Sequence, residues 1–250
     1  GVVMDGDKTE HLKEFVRVLE RYVWAIGVRT FAALKDWSAE REDPILNAFA
    51  EYANVPVINL ESAMHHPCQA MADMMTIREK IGGGKKKVLL TWAWHPKPLP
   101  MAVPNSFALA AAQFGHDLTI AHPKGYELDD ELIADIERHA ADNGGSVTLT
   151  NDVDASFGDV EVVYAKSWGS KNFYGDADGD MLTRAQYRDK WIVDADKMSR
   201  TKNGVFMHCL PVRRNVIVTD EVIDSTNSLV IDEAENRLHI QKAIMREVIK

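Results

Sequence analysis

Apolar positions along the chain follow two alternating rhythms. In EHLKEFVRVLERYV, Leu12, Phe15, Val16, Leu19, Tyr22 and Val23 recur at the three-and-four spacing of a helix that packs one face, and the short stretch AIGVR behind it has the length of a strand. The pair then repeats: an acid-headed helical segment DPILNAFAEYA, strand-like VPVINL, and a helix over HPCQAMADMMTIREKI that Gly82, Gly83 and Gly84 end. Beyond Lys85, Lys86 and Lys87 the rhythm restarts with VLLTWAW, helical NSFALAAAQFG, DLTIAHP, helical DDELIADIERHAAD, then strand-like SVTLT, VEVVYAK, VFMHCL and SLVID. The tail DEAENRLHIQKAIMREVI reads as a last helix, with Asp232 as N-cap and Glu235 three residues on. Strands alternating with helices predict an α/β fold of parallel sheets covered by helices. The glycines and lysines at 82–87 divide the chain into residues 1–84, 85–232 and a helix over 233–250 expected to pack back on the first part.

With 250 residues and 46% hydrophobic content the chain can bury one large core or two modest ones. Its formal net charge of −9 provides no global field for nucleic acid or an anionic membrane, so neither is an expected partner, and a small anionic substrate needs a local cationic pocket. The two cysteines, Cys68 and Cys209, have no framework spacing and read as free thiols of a reducing compartment, the cytoplasm. No apolar run reaches membrane-spanning length and the opening GVVMDGDKTEH lacks signal-peptide character. A first residue of Gly rather than Met leads to the expectation that the chain begins inside a longer protein.

The candidate chemistry collects at predicted strand and helix ends. In HPCQ, Pro67 suits the first helical position, which makes His66 the N-cap and puts Gln69 one turn on, both over a helix N-terminus that favours an anion or a polarised carbonyl. A lone HP pair is also read as simple capping. Arg29 closes AIGVR, Glu61 follows VPVINL, Lys166 follows VEVVYA, and Cys209 with Leu210 ends VFMHCL. Each lies at the carboxyl end of a parallel strand, where open α/β sheets bind ligands, and their convergence says more than any one of them. Adjacent His65 and His66, with no CxxC or HxxxH partner, make no metal site. A Cys209 nucleophile paired with His208 or His66 stays open, although neighbouring strand side chains face opposite ways. HPKPLP after VLLTWAW, where GxGxxG would stand, counts against a dinucleotide-dependent oxidoreductase.

Taken together, RTF at 29–31, HPCQ at 66–69, HPKPLP at 95–100, YAKSWG at 164–169, HCLPVRRN at 208–215 and EAENR at 233–237 resemble the aspartate/ornithine transcarbamylase superfamily. Within it they resemble the branch acting on N-acylated ornithine, the N-acetylornithine and N-succinylornithine carbamoyltransferases. The resemblance implies two lobes, each a parallel sheet covered by helices, the first incomplete and binding carbamoyl phosphate, the second binding the acylornithine. It implies carbamoyl transfer to the δ-amine of an N-acylated L-ornithine, N-acetyl-L-ornithine before N-succinyl-L-ornithine, giving N-acyl-L-citrulline and phosphate in arginine biosynthesis. Arg29 and His66 would donate to the carbonyl oxygen and phosphate, while Gln69 and the backbone around Cys209 and Leu210 would hold the carbamoyl NH2. Glu61 and Lys166 would position the ornithine moiety, Arg213 and Arg237 would line the shared cleft, and His95 and Lys97 would meet the acyl end. No cofactor or metal is implied, and a homotrimer is. The S-x-R-T-R phosphate loop of the family does not occur in this sequence, which fits a missing N-terminal portion and leaves a catalytically silent subunit of the same fold as an alternative. Ile217 stands where the acetyl branch tends to carry lysine, whereas the tail resembles that branch.

Overall fold

The computed structural model describes residues 3–5, 8–9 and 11–249; Gly1, on which the longer-chain expectation rests, and Glu10, at the head of the first predicted helix, lie outside the described residues. Strands β1 (Val3–Asp5) and β2 (Lys8–Thr9) pair antiparallel. Helix α1 (Leu12–Leu19) follows, its first turn capped by the His11 ring accepting from the Lys13 N–H. It stops short of the predicted Val23, and Tyr22 is 79% exposed, since three turn residues carry the chain away from the core before β3 (Ile26–Arg29).

After the short α2 (Trp37–Glu40) and α3 (Pro44–Tyr52), strand β4 (Val57–Glu61) pairs parallel with β3. The register runs from Ile26 opposite Val57 to Arg29 opposite Glu61, with an irregularity between Val28 and Arg29. That irregularity turns the last pair of side chains toward each other at the carboxyl edge, a common use of a bulge beside a site. Val16, Ile26 and Val28 form the small core of this part. Helix α4 (Pro67–Ile81) has Pro67 in its first turn and ends on Gly82 at φ 84°, a left-handed conformation that glycine adopts without cost.

The second sheet is entirely parallel. Its strands are β5 (Lys87–Trp92), β6 (Asp117–Ala121), β7 (Ser146–Thr150), β8 (Val162–Lys166) and β9 (Val205–Met207), in the spatial order β7-β6-β5-β8-β9. From Val88 to Trp92 every β5 side chain is buried, as expected of a strand covered on both faces. The chain builds outward from β5 first through β6 and β7, then on the other side through β8 and β9. The carboxyl ends of β5 and β8 therefore flank a topological switch point, where such sheets open a crevice. Helix α5 (Ala102–Gln113) is buried nearly all round, packed between α4 and α6 (Asp130–Asp142).

The remaining helices are α7 (Ala177–Ala185), α8 (Ala195–Ser199), α9 (Asp220–Ile223) and α10 (Val230–Val248), and α10 lies against α4. The larger core does not stop at the glycines: it takes in Ala70, Met74 and Ile77 of α4 as well as Phe107, Tyr164 and Trp168. Two expectations are corrected here. SLVID does not form a strand; Ser228 makes an isolated bridge to Phe206, and Val230 already opens α10. The N-cap is consequently Leu229, and Asp232 sits in the first turn, where its carboxylate meets Lys80 of α4. A run as short as Ser228–Asp232 satisfies strand and helix patterns equally, and burial of Leu229 and Val230 against the sheet decides for the helix.

Arg184 of α7, fully buried, fixes the loop that follows β5. Its guanidinium donates to the backbone oxygens of His95, Lys97 and Trp168 and to Asp180 Oδ1 at 2.6 Å, and lies over the Trp92 and Tyr126 rings. Asp180 also accepts from the Tyr126 hydroxyl and the Ser170 N–H. Removing one partner of a buried pair strands the other's charge. Arg184→Met is expected to lower stability by about 3–5 kcal/mol in urea unfolding. Arg138→Met, which breaks an exposed pair with Asp135, is expected to cost less than about 1 kcal/mol by the same measurement.

Candidate active site

A cleft of about 420 Å³ opens at the carboxyl ends of β3, β4, β5, β8 and β9. Ten of the eleven residues singled out in the sequence line it: Arg29, Glu61, His66, Gln69, His95, Lys166, Cys209, Leu210, Arg213 and Arg237. Lys97 is the exception. Its N–H donates to His95 Nδ1 and its carbonyl accepts from Arg184, and the loop so pinned turns the Lys97 side chain outward, where it is exposed. Lys97 acts here through its backbone, by holding the His95 ring.

Arg29 donates through Nε and Nη2 to Glu61 Oε2, at 3.1 and 2.9 Å, and its guanidinium lies 4.8 Å from the centre of the Phe31 ring. His66 Nε2 stands 3.8 Å from the same Glu61 oxygen, and its Nδ1 is buried with no hydrogen-bond partner among the described residues. Burial, reinforced by Arg237 and Arg29, pushes the His66 imidazole down to about 3, so at neutral pH it is an uncharged donor. The loop leading to it is tied by contacts that sequence reasoning missed. The Asp43 carboxylate accepts from the Ser62 hydroxyl and the Ala63 and Met64 N–H groups, and Ser106 Oγ accepts the His66 N–H at 2.7 Å. His65, to which no role was assigned, contributes its carbonyl to the Ser62 N–H in that loop.

Gln69 lies one turn into α4. Its Oε1 accepts from Arg237 Nη1 at 2.6 Å, and its Nε2 donates to Asp73 and Glu233, two fully buried acids also missed in the sequence. On the opposite wall, His208 Nδ1 accepts the Leu210 N–H, which leaves the ring hydrogen on Nε2, and burial pushes this imidazole too down to about 3. Leu210 has φ 51°, an unfavourable region for a leucine, sustained by that hydrogen bond where its backbone meets the cleft. Burial drives the Cys209 thiol up to about 11, so at neutral pH it is a protonated thiol, not a thiolate nucleophile. Among the described residues no group of three His, Cys, Asp or Glu side chains is placed to hold a metal ion.

Arg29, Lys166, Arg213 and Arg237 thus face one carboxylate, Glu61, which Arg29 already engages; among the described residues neither Lys166 nor Arg213 has an acidic partner. A chain of net charge −9 has concentrated positive charge around the N-terminus of α4. Such a cleft receives an anion and stabilises negative charge that grows on a carbonyl oxygen during reaction.

Residues 2–79 match the carbamoyl-P binding domain of aspartate/ornithine carbamoyltransferase, and residues 100–248 match the Asp/Orn binding domain. The chain belongs to the aspartate/ornithine carbamoyltransferase family. It is 48% identical to the N-acetylornithine carbamoyltransferase of Xanthomonas campestris pv. campestris, over 100% of this chain and 74% of that protein. It is 41% identical to the N-succinylornithine carbamoyltransferase of Bacteroides thetaiotaomicron, again over 100% of this chain and 74% of that protein. The crystal structure of acetylornithine transcarbamylase complexed with acetylcitrulline superposes with a TM-score of 0.95 at 48% identity, covering 100% of this chain and 75% of that one. The parallel α/β architecture is accordingly that of a carbamoyltransferase.

Two buried imidazoles that the unfolded chain can protonate couple the stability of this carbamoyltransferase fold to pH. Their contribution is complete above the ordinary histidine value of 6.5 and is lost as the pH falls toward about 3. The urea midpoint is expected to drop between about pH 7 and about pH 4. His208→Gln is expected to flatten that drop, and an unchanged slope would remove His208 as a contributor.

Proposed function

We propose that the protein transfers the carbamoyl group of carbamoyl phosphate to the δ-amine of N-acetyl-L-ornithine, giving N-acetyl-L-citrulline and phosphate, as a step of arginine biosynthesis. The observation that carries this reading is the cationic cleft built around the N-terminus of α4, with neutral His66 and the oriented Gln69 amide at its rim. The uncharged amine attacks the carbamoyl carbon, negative charge gathers on the carbonyl oxygen, and the bond to the phosphate oxygen breaks. The proton released by the amine leaves with the phosphate.

Arg29, Arg237 and the His66 N–H supply the positive and hydrogen-bonding environment for that oxygen and for the departing phosphate. Gln69 and the backbone at Cys209 and Leu210 hold the carbamoyl NH2. Glu61 and Lys166 orient the ornithine part, the Cys209 thiol stays protonated beside it, and Arg213 offers a partner to its carboxylate. Residues 1–84 serve the donor side in this reading and residues 85–232 the acceptor side, with α10 returning Arg237 to the cleft. The acyl end is left to His95 and to the apolar Leu99, Val103 and Ile217. An acetyl methyl suits such a wall, whereas a second carboxylate costs desolvation unless a cation meets it. The higher identity to the acetylornithine enzyme supports the same choice. The cytoplasm and a homotrimer belong to this reading as well. Two unpaired cysteines support a reducing setting, and the exposed Val18, Tyr22 and Trp24 at the end of α1 support self-association, which light scattering would measure.

Purified protein is expected to release phosphate from carbamoyl phosphate when an N-acylated ornithine is supplied, with a higher kcat/KM for acetylornithine than for succinylornithine. The reverse order would make the succinyl compound the substrate, and absence of turnover would favour a silent subunit. His66→Ala is expected to lower kcat by about 10²–10³-fold, the scale of a lost oxyanion donor. Lys97→Met, whose side chain lies outside the cleft, is expected to leave the ratio of the two acyl substrates within about twofold.

A further inference from the structure

Behind the rim of the cleft lies a polar cluster with no access to water. Gln69 Nε2 donates to Asp73 Oδ1 at 2.7 Å and to Glu233 Oε1 at 3.0 Å, which uses both of its hydrogens. Glu233 Oε2 accepts the His208 N–H at 2.9 Å, and Glu233 Oε1 also receives the Tyr164 hydroxyl. Asp73 and Glu233 are each fully buried, and the single Gln69 amide nitrogen that donates to both brings their carboxyl groups together. Asp73 Oδ2 has no donor among the described residues. Two negative charges could be placed here only at great expense; the cluster contains one permanent cation, Arg237, bonded through Gln69.

Two ionised carboxylates in contact inside a protein repel each other without solvent to screen them, and one proton between them removes the repulsion. That proton also supplies the donor that Asp73 Oδ2 otherwise lacks. The resulting pair carries a single negative charge, matching the single guanidinium. We propose that Asp73 and Glu233 share one proton, and that this singly charged pair is the positioning device that fixes the Gln69 amide, Arg237 and the turn from His208 to Pro211 against the reacting group.

Every group that faces the pair is consistent with this charge state. Gln69 comes from α4, Arg237 from α10 and Tyr164 from β8, while His208 and Cys209 follow β9. Phe107 of α5 stacks on Tyr164 at 3.9 Å and closes that side with apolar surface. Tyr164 is held protonated by its burial and by the two acids, Cys209 is a thiol, and His208 is neutral. Burial raises both carboxyls above their ordinary range, and Asp73 beside it raises Glu233 further, while the hydrogen bonds to Gln69 and Glu233 pull Asp73 part of the way back down. The shared proton is therefore kept at neutral pH and leaves only as the pH rises. Its loss puts a second negative charge on the pair and loosens the Gln69 clamp.

Infrared spectroscopy of the protein tests the shared proton directly. A protonated-carboxyl band is expected at neutral pH, reversibly lost at alkaline pH, and absent from both Glu233→Gln and Asp73→Asn, each of which leaves one acid to ionise beside Arg237. Absence of the band in the wild type, or its persistence in both variants, would overturn the proposal.

The kinetic arm rests on the carbamoyl-transfer reading. The wild type is expected to show an alkaline limb in its kcat profile, and Glu233→Gln is expected to remove it while lowering kcat by less than about tenfold at neutral pH. The double variant Asp73→Asn/Glu233→Gln, which has no anion at the pair, is expected to lose about 10²-fold in kcat with the acylornithine KM within about threefold. A limb that survives in Glu233→Gln, or a double variant as fast as the wild type, would also sink the positioning role. Should no protein turn over any acylornithine, the carbamoyl-transfer reading fails while the infrared arm still decides on the proton. Should the double variant not fold, the single variants carry the test.

Discussion

The Gln69 side chain joins pieces of chain that are far apart in sequence, and the arrangement of the cleft depends on it. Its amide nitrogen binds an acid one turn further along α4 and an acid at the start of α10, and its oxygen takes the guanidinium of Arg237. Through Glu233 the same cluster reaches the backbone of His208, just past β9. Buried polar groups stabilise a structure only as a fully satisfied set, because each unmatched member carries its whole desolvation cost. The contact between α4 and α10 is thus specified by chemistry as well as by shape. An apolar side chain at residue 69 would fill the space but take from Asp73 and Arg237 the amide each is bonded to and leave Glu233 with only the His208 N–H and the Tyr164 hydroxyl.

The rest of the scaffold serves to bring charges to that helix end. A parallel sheet with its switch point beside β5 sends the chain outward at the carboxyl ends of β5, β8 and β9, and the smaller β3-β4 pair faces it from across the cleft. His66 is held from behind by Asp43 and Ser106, so its ring is positioned without using its own nitrogens. His95 is held by the backbone of Lys97 and, one step further back, by the buried Arg184. Much of the rigidity of the site therefore comes from residues that never meet the cleft.

The strand ends were legible in the sequence because an apolar run followed by a charged residue marks an edge, and Arg29, Glu61 and Lys166 all follow such runs. The N-terminus of α4 was legible from Pro67, and its end from Gly82. Gln69 with Asp73 has the four-residue spacing that brings side chains together on a helix. Glu233 could not be found that way, since its partner lies 164 residues earlier and only the tertiary fold brings them together. Lys97 misled because charge type is visible in a sequence and side-chain direction in a proline-rich loop is not. Asp232 misled for a related reason: a good capping residue was present, but burial of Leu229 and Val230 moved the start of the helix upstream.

The position of α10 has a consequence for synthesis. Domains form as their residues leave the ribosome, from the N-terminal end onward. All five strands of the larger sheet, and every other element around the cleft, emerge before residue 230 does. Until α10 follows, α4 presents Ala70 and Met74 without their final cover, and Gln69 and Asp73 lack both Glu233 and Arg237. The nascent chain consequently carries most of the fold but an unfinished anion site, and the arrival of α10 both seals the core and completes the ring of charge.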